Sequence, residues 1–147
     1  MKLLIINGPN LNLLGIREPA IYGATTYPAL VVRLHAWCEA AGVTCDVFQS
    51  NHEGAIVDRI QQAYFDGVDG IVINPAAYTH TSVAILDALK ATAIPTVEVH
   101  ISDVYAREAF RHHSYVSLAA LKTIAGHGIE GYREGIEWLV NHLRSMA

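Results

Sequence analysis

The chain has 147 residues, enough for one hydrophobic core but not for two, so we predict a single domain over residues 1–147. The formal net charge is −4 and the basic residues do not cluster, which argues against a nucleic-acid partner. No apolar run approaches the roughly 20 residues that cross a bilayer, and no secretory signal pattern is visible, so we predict a cytoplasmic protein with no membrane partner.

The predicted elements alternate between strand and helix along the whole chain. In chain order they are strand 2–7, helix 28–41, strand 43–49, helix 54–65, strand 70–74, helix 81–93, strand 96–100, strand 122–125 and helix 129–146. The first and third strands are continuous apolar runs, which is typical of strands covered on both faces. Tyr64 and Val83 are among the helical residues expected to face inward, and Thr79 or Thr81 is the expected N-cap of the third helix.

This alternation predicts an α/β fold. Strands separated mostly by helices indicate a doubly wound, five-stranded parallel sheet with helices on both faces and right-handed crossovers. The size suits a flavodoxin-like strand order of 2-1-3-4-5. Two connections, 8–26 and 101–120, are long for so small a domain, and loops of that length are usually functional.

Polar side chains collect where the predicted strands end. The first strand ends in or is followed by Asn7, Asn10, Asn12, Arg17 and Tyr22, and the second is followed by Ser50, Asn51 and His52. The third ends in or is followed by Asn74, Tyr78 and His80, and the fourth by Glu98, His100, Ser102, Arg107, Arg111, His112 and His113. Ligands of doubly wound sheets bind beyond the carboxyl ends of the strands. Convergence of these groups at one edge of the sheet predicts a polar pocket there.

Two pairs in this set could supply acid–base chemistry. Arg17 and Tyr22 lie on the first long loop, where an arginine could stabilise the phenolate and make Tyr22 a base. The alternative is a surface arginine beside a packing tyrosine. Glu98 and His100 are two apart on a strand, so they point to the same face, where the carboxylate could orient His100 as an acid. The alternative is a structural ion pair.

Three rival functions have weaker support in the sequence. Residues 126–131 match the G-x-G-x-x-G of dinucleotide-binding domains, but too few residues follow for the next strand and its acidic residue. A non-catalytic flavodoxin-like signalling domain would need an acidic cluster after the first strand, where this chain has Asn-Gly-Pro-Asn. A zinc hydrolase would need a motif such as H-E-x-x-H, which is absent.

Cys38 and Cys45 match no zinc or redox spacing and are interpreted as buried apolar residues.

Several segments, taken together in their order along the chain, resemble the type II dehydroquinase family. They are NGPNLNLLG at 7–15, REP at 17–19 with IYG at 21–23, QSNHEG at 49–54, INPAAYTHTS at 73–82, EVHIS at 98–102 and FRHHSY at 110–115. The resemblance covers essentially the whole chain. It departs from the family pattern mildly, at Ile16 and at 103–105, and neither departure touches a matched catalytic position.

The resemblance implies an enzyme that converts 3-dehydroquinate to 3-dehydroshikimate in the shikimate or quinate pathway, by anti elimination of water through an enolate, without metal or cofactor. It implies Tyr22 as the base activated by Arg17, and His100 as the acid oriented by Glu98. Asn10 would stabilise the enolate. The substrate-binding set that it implies is Asn74, His80, Arg111 and the backbone amides of Ile101 and Ser102.

The resemblance further implies a homo-dodecamer, built as a tetramer of trimers, in which Asp87 reaches the site of a neighbouring subunit. An apolar content of 52% is high for a small monomer and favours burial of surface between copies of the chain. The segment 15–25 carries both Arg17 and Tyr22 between two glycines, and we predict that it acts as a lid.

Overall fold

A computed structural model describes all residues of the chain, 1–147. The five strands are β1 (Lys2–Asn7), β2 (Thr44–Gln49), β3 (Gly70–Asn74), β4 (Thr96–His100) and β5 (Lys122–Ala125). The helices are α1 (Pro19–Tyr22), α2 (Tyr27–Ala40), α3 (Glu53–Phe65), α4 (Val83–Thr92) and α5 (Glu130–Ser145). All strand pairs are parallel and the order is β2-β1-β3-β4-β5, which confirms the predicted flavodoxin-like topology. None of the helices has the length and apolar character that a membrane-spanning segment requires.

The sheet separates two apolar clusters, because successive residues of a strand point to opposite faces. Leu3 and Ile5 of β1 pack in the cluster that contains the buried faces of α2 and α5, whereas Leu4 and Ile6 pack in the cluster of α3 and α4. All four side chains are fully buried. Burial of an aliphatic side chain of this size contributes about 1.5–3 kcal/mol, so the apolar run of β1 is well suited to the interior of the sheet.

The start of α4 differs from the prediction. Its N-cap is Ser82, whose hydroxyl accepts a hydrogen bond from the Ile85 amide at 2.9 Å. The predicted caps were wrong, because Thr79 is buried in the turn after β3 and Thr81 precedes the cap by one residue.

Side-chain burial also corrects two expectations. Val83 is 48% exposed because the buried stripe of α4 runs through Ile85 and Leu89, away from it. Tyr64, in the last turn of α3, is 60% exposed. Of the two cysteines, Cys38 is buried as predicted and Cys45 is only half-buried, and both are free thiols.

The segments that follow β1 and β3 run in close contact at the edge of the sheet. The Gly8 amide donates a hydrogen bond to the Asn74 carbonyl oxygen at 2.8 Å. A Cβ at Gly8 would lie 2.4 Å from the Pro75 carbonyl oxygen, so only glycine fits at this position. Asn10 follows with a φ of 69°, a left-handed conformation that asparagine tolerates. This turn carries the first long connection across the carboxyl ends of the strands.

Candidate active site

A pocket lies at the carboxyl ends of β1, β3 and β4, where the sequence predicts it. Nine of the predicted site residues line it: Asn10, Arg17, Tyr22, Asn74, His80, His100, Ile101, Ser102 and Arg111. The lining also contains Arg107, so three guanidinium groups face the pocket, and no aspartate or glutamate does. A pocket of this charge in a chain whose net charge is −4 favours an anionic ligand.

Tyr22 is held between two arginines. It closes α1, and only 8% of its surface is exposed. The Arg17 guanidinium lies over the ring, with Cζ 4.2 Å from the ring centroid, so it acts on the face of the phenol. Arg107 Nη1 donates a hydrogen bond to the Tyr22 hydroxyl oxygen at 2.8 Å. The Tyr22 side chain therefore meets one guanidinium group at its ring face and another at its hydroxyl.

The sequence groups Arg107 with the polar residues that follow β4 but assigns it no role in the site. Arg107 lies on the second long connection, 85 positions from Tyr22, and its guanidinium also reaches the Ser102 hydroxyl at 3.4 Å. Its place after β4 marks it as a polar loop residue only. Nothing in the local pattern distinguishes Arg107 from Arg111, which the family motif covers.

We expect Arg107→Ala to lower kcat by about tenfold or more, because a hydrogen bond to a charged group is stronger than one between neutral groups. Arg17→Ala should also lower kcat, because it removes the guanidinium group over the Tyr22 ring. Steady-state kinetics measure both effects, and Arg107→Lys, which keeps the charge, is the matched control. A rise in KM alone would assign these arginines to substrate binding.

Glu98 and His100 form the predicted pair. His100 Nε2 is hydrogen-bonded to Glu98 Oε2, so Nδ1 is the ring nitrogen left for a ligand in the pocket. Burial raises the pKa of the Glu98 carboxyl, but the hydrogen bond and charge of His100, with hydrogen bonds from Ser117 and Ser114, outweigh it and hold the pKa at about 2. Glu98 is therefore a carboxylate that orients the imidazole from behind the pocket.

Asn74 ends β3 with its amide group fixed by the protein. Its Nδ2 donates to the Tyr132 hydroxyl at 2.9 Å, and its Oδ1 accepts from the Ala76 amide at 3.1 Å. Tyr132, fully buried on α5, in turn donates to Asn7 Oδ1 at 2.6 Å. A primary amide has two N–H groups, so one N–H of Asn74 remains for a ligand.

His80 is held in one orientation by the second long connection. Its Nδ1 lies 2.8 Å from the His113 carbonyl oxygen, so Nδ1 carries the proton and Nε2 is an acceptor in the neutral ring. Burial lowers the pKa of His80, the hydrogen bond to His113 opposes this, and the nearby charges of His100, Arg111 and Arg107 lower the pKa further. His80 is therefore neutral near pH 7 and suited to accept a hydrogen bond from a hydroxyl.

The glycine-rich turn that raised the dinucleotide alternative has a different role. Its Gly128 and Gly126 amides donate to the carbonyl oxygens of Ile101 and Ser102, each at 3.1 Å. The turn follows β5, an edge strand, away from the crevice between β1 and β3 where doubly wound sheets bind nucleotides. It therefore supports the Ile101–Ser102 segment of the pocket.

Asp87 stands apart from the pocket, whereas Asn10 belongs to it. Asp87 is exposed on α4 and does not line the pocket of its own chain, so its place in a neighbouring site stays a prediction. Asn10 lines the pocket, and its backbone amide is anchored to Asn51 Oδ1 at 3.0 Å. The structure contains no group of three or more His, Cys, Asp or Glu side chains that could hold a metal ion.

The chain has a flavodoxin-like sheet, and its pocket combines a phenol between two arginines with an imidazole that is paired with a carboxylate. These features define an α/β enzyme of the general acid–base type.

Comparison with known proteins identifies the family of the chain. The family profile "Dehydroquinase class II" matches residues 1–140. A catabolic 3-dehydroquinase from Aspergillus clavatus is 57% identical over 146 residues, which cover 99% of this chain and 97% of the relative.

A 3-dehydroquinate dehydratase from Acinetobacter baumannii is 55% identical, covering 97% of this chain and 94% of the relative. The crystal structure of type II dehydroquinase from Butyrivibrio crossotus matches with a TM-score of 0.93 at 53% identity, covering 95% of this chain and 97% of that chain. The chain belongs to the class II dehydroquinase family. The non-catalytic and nucleotide-binding alternatives are thereby set aside.

Proposed function

We propose that the protein converts 3-dehydroquinate to 3-dehydroshikimate by anti elimination of water, within the shikimate or quinate pathway. The observation that carries this proposal is the pocket itself. Tyr22, hydrogen-bonded to Arg107, shares it with His100, whose partner Glu98 lies behind the lining, and no carboxylate lines it. Such a pocket favours a carboxylate substrate and supplies a base and an acid.

The proposed reaction begins at Tyr22. As a phenolate, it takes the proton from the carbon next to the substrate ketone, and the electron pair of that C–H bond moves onto the ketone oxygen. Asn10 stabilises the resulting enolate, directly or through water. His100, protonated and oriented by Glu98, then gives its proton to the hydroxyl one carbon further on. The C–O bond breaks, water leaves, and the enolate electrons form the new double bond and restore the ketone.

The remaining predicted residues bind the substrate in this proposal. Arg111 donates from Nε to Glu108 Oε2 at 2.7 Å, which leaves its terminal N–H groups for the substrate carboxylate or hydroxyls. The backbone amides of Ile101 and Ser102 provide further donors at the end of β4. Asn74, with one free N–H, and neutral His80 suit the hydroxyl groups.

The test is to mix the protein with 3-dehydroquinate and follow the ultraviolet absorbance of the conjugated product. We expect absorbance to rise without added metal or cofactor. Borohydride added together with the substrate should leave activity intact, because Lys2, Lys90 and Lys122 all lie outside the pocket lining and none can form an imine there. A protein that makes no product would refute the proposal, and borohydride inactivation with a lysine adduct would refute the enolate route.

We also propose that the chain acts as one domain in a cytoplasmic homo-dodecamer, a tetramer of trimers. Free Cys38 and Cys45 suit a reducing compartment. Exposed apolar side chains such as Phe65, 78% exposed, could be covered between copies. Asp87 lies outside its own pocket and is free to reach a neighbouring one.

We expect Asp87→Asn to raise KM while the assembly keeps its mass, because Asp87 is proposed to bind substrate in the site of a neighbouring subunit. Light scattering of the whole protein should give about twelve times the chain mass of 16.0 kDa. An active monomer, or an unchanged KM of the Asp87 variant, would contradict this arrangement.

A further inference from the structure

The Glu98 carboxylate is surrounded by hydroxyl groups as well as by His100. It is fully buried. Its Oε1 accepts hydrogen bonds from Ser117 Oγ at 2.5 Å and from Thr123 Oγ1 at 3.0 Å. Its Oε2, which is bonded to His100, also accepts from Ser114 Oγ at 2.7 Å. Three hydroxyl donors to one buried carboxylate are more than orientation of a histidine requires.

A fourth hydroxyl completes the arrangement. Thr79 Oγ1 lies 3.2 Å from Glu98 Oε2 and 2.5 Å from Ser114 Oγ, so its single proton serves one of these two acceptors. We call these four residues the hydroxyl cage: Thr79, Ser114, Ser117 and Thr123. They come from the turn after β3, from the second long connection and from β5, and none of them lines the pocket.

The pair of Glu98 and His100 has two ways to hold one shared proton. In one state a carboxylate faces an imidazolium, and in the other a carboxylic acid faces a neutral imidazole. A buried carboxylate is costly unless donors compensate for lost water. Each hydroxyl that donates to the carboxylate favours the charged state, because a carboxylate accepts hydrogen bonds more strongly than a carboxylic acid.

We propose that the hydroxyl cage consists of positioning residues that keep this shared proton on the imidazole, so that His100 is ready to protonate the departing hydroxyl. The effect on turnover rests on the proposed dehydratase function, whereas the effect on Glu98 does not. The low pKa of Glu98, held at about 2 against the effect of burial, agrees with the cage.

The other titratable and charged groups near His100 lie on the pocket side. They are His80, whose pKa the charges of His100, Arg107 and Arg111 lower, and Arg17 and Tyr22, which share the pocket lining. All of them stay unchanged when a cage hydroxyl is removed from the opposite side. A difference between cage variants therefore reports on Glu98 and not on the pocket arginines.

Thr123 offers a matched pair of variants. Thr123→Val removes the hydroxyl and keeps the shape, whereas Thr123→Ser keeps the hydroxyl. We expect Thr123→Val to lower kcat by about tenfold, since a buried acceptor loses a donor. The double variant Ser117→Ala/Thr123→Val, which leaves Oε1 without any donor in the protein, should lose more. KM should stay within about twofold, because the cage does not line the pocket, and Thr123→Ser should retain most of kcat.

A second measurement needs no substrate. Ionised Glu98 stabilises the fold above its ordinary pKa, and this contribution is lost as pH falls through its folded pKa of about 2. In the double variant the folded pKa of Glu98 is higher, so less stability depends on the carboxylate. Urea titrations give the free energy of unfolding of wild type and double variant at each pH. The difference between the two should be largest near neutral pH and should become smaller as pH approaches 2.

The two measurements separate the possible failures. A wild-type protein with no dehydratase activity would overturn the proposed function, while a narrowing stability gap would still support the cage. Equal kcat losses in Thr123→Val and Thr123→Ser would overturn the cage, because the hydroxyl would then be irrelevant. A stability gap that is constant with pH would also overturn it, since simple loss of packing does not depend on the ionisation of Glu98.

Discussion

Tyr22→Phe is expected to lower kcat by at least about a hundredfold, within the range that general acid–base groups contribute. The substitution removes only the hydroxyl that Arg107 contacts at 2.8 Å. The ring stays buried, and its stacking with the Arg17 guanidinium, 4.2 Å from the centroid, is retained. The protein should therefore fold normally and bind substrate with little change in KM. Steady-state kinetics and circular dichroism of the variant measure these expectations.

A matched control is Tyr64→Phe, because Tyr64 is 60% exposed and lies outside the pocket. It should leave kcat unchanged. In the Tyr22→Phe background, Arg107→Ala should lower kcat only slightly further, because the two side chains act as one unit. Near-normal kcat in Tyr22→Phe would remove Tyr22 from the role of base. Additive losses in the double variant would mean that Arg107 acts elsewhere.

His100→Ala should also lower kcat by at least about a hundredfold, since the departing hydroxyl then lacks a proton donor. The variant leaves the Glu98 carboxylate with the hydroxyl cage as its only remaining hydrogen-bond partners, so it should also be less stable. Activity at 25 °C and thermal unfolding should be measured on the same preparation. The activity loss is then separated from any unfolded fraction.

His127→Ala is the control for this substitution. His127 has a side chain that is 55% exposed and pairs with Glu134 at the surface, outside the pocket. It should keep full activity. If His100→Ala retained substantial kcat while folded, His100 would not be the acid and the proposed mechanism would be wrong.

The sequence by itself determined the sheet and the edge where the pocket lies. Alternating strand and helix patterns, joined by right-handed crossovers, leave few topologies for five parallel strands. The Glu98–His100 pair was also predictable, because residues two apart on a strand must share a face. These features depend on neighbours along the chain, so periodicity and spacing carry them.

Only the tertiary structure decided which distant groups meet. Arg107 reaches Tyr22 across 85 positions, and the hydroxyl cage brings Thr79, Ser117 and Thr123 to one carboxylate from three parts of the chain. Serine and threonine are common in turns and strand ends, so no local pattern marks these as partners of Glu98. The position of Ser117 depends on the path of the second long connection, which is tied to the turn after β3 by the hydrogen bond from the Tyr115 amide to the Thr79 carbonyl oxygen. That contact joins distant parts of the chain, so it exists only once the sheet has formed.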